Sequence, residues 1–346
     1  MTEVWAKDHE QKGRPRILDR FLEIVSAFGR LPLPGHGDTW ERFEILSSLA
    51  EEDLSLARLG EGHADALAIL DESGHGARHS GASYGVWAAR TGTGNVTATP
   101  VAGGWKLAGQ KPFCSGSEML ERALLTVEAP DGYRLFDIAT ADAVVAAVPD
   151  SWPAVGMADS FSETLIFGGP VVSEDDAIGP PGFYTDRPGF WFGGCGVAAC
   201  WYGGARGLLR GVVESLTSDP GELVLAEIGK AASGLQLMSD SLQSVARAID
   251  LDPENKGDHA RARALAVRQI VHHAAEGVLR CTAAAGGARP LCHDRVQARR
   301  AADLYVYLAQ HHGGSEAMSM GRLIFEGVDR GSESFDPRGR RGRWSR

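Results

Sequence analysis

Apolar residues fall into three textures along the chain. From Ile17 to about Ser73 they recur at helical spacing, with Ile17, Phe21, Ile24 and Val25 on one face and Trp40, Phe43, Leu46 and Leu49 on that of a second helix. Pro32, Pro34 and Gly35 separate the two. Between Tyr84 and about Pro188 the runs shorten and are bounded by Gly, Pro and Asp. NVTATPVAGGWKLAGQKPF and RALLTVEAPDGYRLFDIAT each read as two strands joined by a turn, the second turning at Pro130-Asp131-Gly132, and TLIFGGPVV reads as a further strand with a Gly-Gly break. Hairpins of this kind predict antiparallel pairing. After Gly189 helical spacing returns and persists, through Leu225, Ile228, Ala232, Leu235, Ser239, Leu242, Val245 and Ile249, and again through Ala264, Val267, Val271, Ala274, Val278 and Cys281.

The expected class is therefore α+β. An N-terminal helical domain spans residues 1–84, a middle antiparallel β domain 85–188, and a C-terminal four-helix-type bundle 189–330. Residues 331–346 form a basic polar tail, read as a solvated segment because it has no apolar anchors.

Charge and composition narrow the function classes. Of 346 residues, 35 are Lys or Arg and 45 Asp or Glu, so the net charge of −10 argues against a nucleic-acid grip across the surface. No stretch approaches the roughly 18 uncharged apolar residues of a membrane span, and the start carries charge without an apolar signal core, so a cytoplasmic protein is expected. Cys114, Cys195, Cys200, Cys281 and Cys292 form no CxxC pair, which favours reduced thiols and no metal site. The 44 glycines are about twice the usual ~7% share and point to many turns and close backbone approaches.

Several motifs are better explained by packing than by chemistry. GCGVAA at Gly194–Ala199 fits G-x-G-x-x-A, with Glu214 twenty residues past Gly194, yet it lacks the flanking strands of a dinucleotide fold and reads as tight helix packing. His75 and His79 lie among glycines, which makes a loop of them, and His272-His273 reads as an ordinary pair within a helix. There is no GxSxG elbow, P-loop or HExxH.

The informative stretch is GGWKLAGQKPFCSGSEMLERALLTVEA, residues 103–129. Two strands joined by a turn, with Ser115 and Ser117 following Phe113, place hydroxyl and backbone N–H groups at a sheet edge, suited to a flat heteroaromatic ligand. The segment resembles the GW-x-L-x-G-x-K stretch of the acyl-CoA dehydrogenase superfamily, which an aromatic residue and a Ser or Thr follow against the flavin. VGMADSFSETLIFGGPVVSEDDAIG resembles that family's later β segment, and AAAGGARPLCHDRVQARRAADLYVYLAQHH its Gly-Gly turn and Asp-bearing helix.

What the resemblance implies is a flavin site built from Phe113, Cys114, Ser115 and Gly116, with Ala89, Gly286 and Gly287 near it. Counting eight residues from Asp303 reaches the place of the dehydrogenases' catalytic Glu, where this chain has His311, followed by His312. The first β strand runs into WAARTGTGN, unlike the dehydrogenases' substrate pattern, and SLTSDPGELV stands where they carry Arg-x-x-Phe-Gly. The N-terminal helical region is also shorter than theirs, which implies an altered substrate pocket.

A His at that position together with F-x-S-G is similar to the superfamily's flavin-dependent hydroxylases. The resemblance then implies FAD or FMN supplied reduced by a partner flavin reductase, with Ser115 beside flavin N5 and His311 or His312 as the proton-handling group. His is suited to acid or base work near pH 7. Helix capping next to Gly313-Gly314 is the competing account of His311. The function expected is a flavin-dependent oxidoreductase acting on a small organic or acyl substrate, with oxygen-dependent hydroxylation favoured. Desaturation of an acyl thioester and a non-catalytic scaffold of this fold remain the alternatives, and the family's habit of building sites across subunits implies a homodimer or homotetramer.

Overall fold

The computed structural model describes residues 16–29, 31–76, 79–90, 95–216, 218–257 and 259–329. Residues 331–346, and Thr91–Gly94 within WAARTGTGN, lie outside them. The chain forms two compact units, the first from residues 1–31 and 55–187, the second from 32–54 and 188–346.

In the first unit, α1 (Arg16–Phe28) and α3 (Leu54–Glu72) accompany a seven-stranded sheet. The strands are β1 (Tyr84–Trp87), β2 (Val96–Val101), β3 (Gly104–Cys114), β4 (Arg122–Ala129), β5 (Gly132–Ala139), β6 (Ala146–Ala147) and β7 (Glu163–Val172), in the order β1-β4-β2-β3-β7-β6 with β5 on β4. The β2–β3 and β4–β5 hairpins form as the turn residues predict, and β3–β7 is also antiparallel. The sheet is nevertheless mixed: β1 runs parallel to β4, matching Tyr84 to Arg122, and β2 meets β4 in parallel at Thr97. Turn chemistry governs neighbours in sequence and carries no information about these non-consecutive pairs. Ala66, Ile69 and Leu70 of α3 pack against Tyr84, Leu124, Leu135 and Ile178 to form the core.

Two buried bases lie within this unit. Lys111 of β3 is 2% exposed and donates from Nζ to the Thr126 carbonyl (2.9 Å) and hydroxyl (2.8 Å) of β4. Burial pushes its pKa down to about 8. His63 of α3, also 2% exposed, sits among the rings of Phe21, Phe28 and Tyr84 and accepts the Tyr84 backbone N–H at Nδ1 (3.2 Å). Its burial lowers the imidazole pKa to about 4.

The second unit holds α2 (Thr39–Glu52), α4 (Gly189–Ser215), α5 (Glu222–Leu251), α6 (Ala260–Gly286), α7 (Ala288–His293), α8 (Arg295–Leu308) and α9 (Gly313–Asp329). The GCGVAA stretch lies inside α4, where a Cβ at Gly194 or Gly196 would make only ordinary contacts at 3.5 and 3.4 Å, and the close approach falls further along the helix. A Cβ at Gly203 would stand 2.0 Å from the Ser47 carbonyl oxygen of α2, and one at Gly207 2.8 Å from that of Glu51. The Ser47 hydroxyl donates to the Ala199 carbonyl (3.0 Å) across the same seam. On α5 the buried stripe is Ala231, Met238, Leu242, Val245, Ala246 and Ile249, while Leu225, expected on the inner face, is exposed together with Leu223 and Leu237. Among the described residues, no helix is long and apolar enough to cross a membrane and no group of three or more His, Cys, Asp or Glu could hold a metal ion.

Two outcomes follow from this packing. Gly203→Ala is expected to destabilise the protein by about 1–3 kcal/mol, because backbone rather than a flexible side chain blocks the added methyl; urea unfolding measures it. His63 contributes a pH dependence whose sign is fixed by its lowered folded pKa. Its stability is full above pH 6.5 and is lost as pH falls toward and through 4, by up to about 3 kcal/mol. Denaturation at pH 7, 5.5 and 4 tests this, with His63→Gln expected to flatten the curve.

Candidate active site

Two clusters hold the residues singled out by sequence, one in each unit. In the first, side chains along β3 alternate regularly, with Trp105, Leu107 and Lys111 buried and Lys106, Ala108 and Gln110 exposed. Between Lys111 and Cys114 the register with β7 slips. The slip reverses the alternation, as a bulge does. Phe113, which strict alternation would bury, is 53% exposed with φ +58°, and the Cys114 side chain is fully buried. The Cys114 thiol donates to the Lys111 carbonyl (3.2 Å), and burial raises its pKa. Phe113 meets Trp152 edge-on at 6.4 Å.

Ser115 follows in a tight turn, its N–H donating to Phe113 O (3.0 Å), while Trp87 Nε1 donates to Ser115 O (3.0 Å). Its hydroxyl is 2.8 Å from that of Ser162, which is 2.9 Å from that of Ser160, and Ser160 Oγ donates to the Met157 carbonyl (2.7 Å). Each hydroxyl has one proton. Since Ser160 commits its proton to a carbonyl, it accepts from Ser162, and Ser162 in turn accepts from Ser115. Arg58 Nε donates to Ser115 Oγ (3.2 Å), and Glu61 holds the Arg58 guanidinium. What remains on Ser115 Oγ is one lone pair, so it meets a ligand as an acceptor. Ser117 is engaged with Phe161 O and Glu163, Gly116 N–H donates to Ser160 O (2.8 Å), and Ala89 is half-buried after β1.

The second cluster separates the two candidate histidines. His311 is 8% exposed, whereas His312 is exposed and presents its carbonyl to the Ser315 hydroxyl and the Glu316 N–H at the start of α9. The Gly313-Gly314 pair therefore opens a helix rather than closing one, while α8 ends at Leu308, whose carbonyl accepts the His311 N–H (2.9 Å), so the His311 backbone does cap the preceding helix. His311 Nε2 bonds Gln269 Oε1 (3.0 Å), which makes Nε2 the proton-bearing nitrogen. Nδ1 lies 3.2 Å from Glu316 Oε1, close enough to pair electrostatically but without hydrogen-bond alignment. Arg268 grips both oxygens of Glu316 (3.1 and 3.0 Å), donates to Gly194 O and covers the Trp201 ring at 4.9 Å.

His272 is no isolated helix residue. Its ring centroid is 4.4 Å from that of His311, and both rings stand edge-on to Trp201. Nothing in the spacing of His272 and His311 along the chain pointed to this contact. Burial lowers the pKa of both, and the neighbouring His272 and Arg268 charges lower that of His311 further while Glu316 opposes them. Burial would raise Glu316, but the Arg268 hydrogen bonds and charge outweigh it and the carboxyl lies below its ordinary value. Gly286 ends α6 and Gly287, at φ +62°, starts the turn into α7.

Structural comparison identifies the fold. A dibenzothiophene monooxygenase, TdsC, from Paenibacillus sp. A11-2 superposes with a TM-score of 0.73 at 20% identity, over 90% of this chain and 97% of its own. The chain has the acyl-CoA dehydrogenase-like fold. Two further proteins of this fold are a 3-HSA hydroxylase from Rhodococcus sp. RHA1 (TM-score 0.70, 16% identity, 94% and 96% covered) and the HsaA monooxygenase from M. tuberculosis (0.69, 16%, 90% and 96%). TdsC has also been solved with FMN and indole together. No protein-family model matches the sequence, and no curated protein sequence is similar to it, so the likeness is one of fold.

The His311 environment makes a spectroscopic prediction. By NMR its imidazole is expected to titrate below pH 6.5, and Glu316→Gln, which removes the opposing negative charge, is expected to lower the value further.

Proposed function

We propose that this chain is a flavin-dependent monooxygenase that hydroxylates a small organic substrate with oxygen, using FMN or FAD delivered reduced by a partner flavin reductase. The observation that carries the reading is the polarity of Ser115. Its hydroxyl faces a ligand as an acceptor, and the N5 of a reduced flavin bears a proton to give, whereas that of an oxidised flavin does not. The exposed Phe113 ring supplies a flat apolar surface beside it, with Cys114, Gly116 and Ala89 in the same unit.

When bound, reduced flavin supplies the electrons for oxygen insertion. The protein's part is to hold, orient and move protons. Arg58, fixed by Glu61, and the Ser162–Ser160 relay hold the Ser115 hydroxyl in one orientation. His311 is neutral near pH 7 with its free lone pair at Nδ1, and a proton accepted there gains the Glu316 carboxylate as partner. His312, exposed, is left without this role. The desaturation alternative needs a basic carboxylate, and Glu316 is a poor one, since Arg268 holds it ionised.

TdsC accommodates indole and FMN, which fits a small heteroaromatic substrate. Exposed Leu223, Leu225 and Leu237 on α5 favour a homodimer or homotetramer, and free cysteines favour a cytoplasmic setting.

Anaerobic titration with photoreduced FMN and FAD tests the assignment, followed by oxygen and a panel of aromatic heterocycles with mass spectrometry for a gain of one oxygen. Ser115→Ala is expected to weaken reduced FMN about tenfold, about 1.4 kcal/mol, while changing oxidised FMN less. Failure of both redox forms to bind the wild-type protein overturns the proposal.

A further inference from the structure

The His311 side chain is only 1% exposed, so the groups that set its proton belong to the protein. Arg268, Gln269, His272 and Glu276 recur at helical spacing along one side of α6. Gln269 takes Nε2 of His311, and Arg268 holds Glu316 of α9 beside its Nδ1. His272 adds a second imidazole, with ring centroids 4.4 Å apart and planes tilted by 41°.

The two rings repeat one design. His311 Nδ1 lies 3.2 Å from Glu316 Oε1 and His272 Nδ1 3.6 Å from Glu276 Oε2, and neither nitrogen has a hydrogen-bond partner. On the opposite side, His311 bonds the Gln269 amide oxygen, while the His272 ring bonds the Leu308 carbonyl, which also accepts the His311 backbone N–H (2.9 Å). The charged or titratable neighbours are Arg268, His273 and Glu276 from α6 and Glu316 from α9; α4 and α8 add Trp201 and Tyr307, with Trp201 edge-on to both imidazoles. Burial is the largest influence on both rings and disfavours charge. Against it, Glu276 favours the charged form of His272 and Glu316 that of His311.

We propose that His272 is a positioning residue for His311, and that the two imidazoles, each facing its own carboxylate, take up one proton between them. Positive charges on rings 4.4 Å apart repel across a site that water screens poorly, so a proton on His272 disfavours one on His311 and the second binds in a separate step. His272 therefore keeps His311 neutral, with Nδ1 open, to a lower pH than Glu316 alone would allow. Its bond to the Leu308 carbonyl ties it to the turn that carries His311. The link to catalysis rests on the monooxygenase reading, in which His311 accepts a proton at Nδ1; the pairing itself does not.

NMR titration of the flavin-free full-length protein, labelled at histidine, provides the test. His272→Gln keeps a donor for the Leu308 carbonyl and removes the second titrating ring, and it is expected to move the His311 midpoint to higher pH. Glu276→Gln acts from the surface, at a side chain 55% exposed. It is expected to lower the midpoint of His272 and raise that of His311. Independent sites would behave differently, since loss of a negative charge by itself leaves a neighbouring imidazole unmoved or lowers its midpoint. A His311 midpoint that fails to rise in either variant overturns the proposal, and should His272→Gln not fold, the Glu276→Gln result decides. Flavin takes no part in these measurements, so a chain that does not bind flavin and a pair that does not couple are told apart.

Discussion

A one-residue slip at the end of β3 governs what the first unit offers to solvent. Up to Lys111 the strand buries every second side chain; beyond it the parity reverses, so an aromatic ring is turned out, a thiol is turned in, and the next residue is bent into a tight turn. The positive φ of Phe113 costs backbone energy that an ordinary strand end would not incur. It persists because both flanks are fixed, by Lys111 anchored on β4 and by Trp87 bonded to Ser115 O. The direction of the serine relay depends on that placement, since a hydroxyl displaced by an ångström would lose Ser162 or Arg58.

The two clusters solve opposite problems. Ser115 is held by neutral hydroxyls that end on a carbonyl, which sets a hydrogen-bond direction without adding charge. His311 lies amid charges of both signs, with Arg268 and Glu316 locked to each other and a second imidazole against its ring, which holds the net field small while leaving one nitrogen available to a proton. Burial then decides the balance, and it favours the neutral ring.

Much of this was legible in the sequence. The change from helical spacing to short bounded runs and back located the sheet, Pro130-Asp131-Gly132 located a hairpin, and the residues around Phe113 pointed to Ser115. What was hidden shares one cause, that periodicity reports a residue's own element and not its partners. The parallel β1–β4 pair, the contact of His272 with His311, and the exposure of Leu225 all depend on non-local neighbours. Gly313-Gly314 misled for a local reason, because a glycine pair is compatible with either end of a helix and the His312 carbonyl decided for the start.

The Lys111 amine has a mechanical meaning as well. In the sheet β2 lies between β4 and β3, yet the Lys111 ammonium of β3 reaches the Thr126 carbonyl and hydroxyl of β4 directly. A single cation thus rivets together two strands that the backbone ladder keeps apart, and it does so just before the outward-turned Phe113 and the turn that carries Ser115.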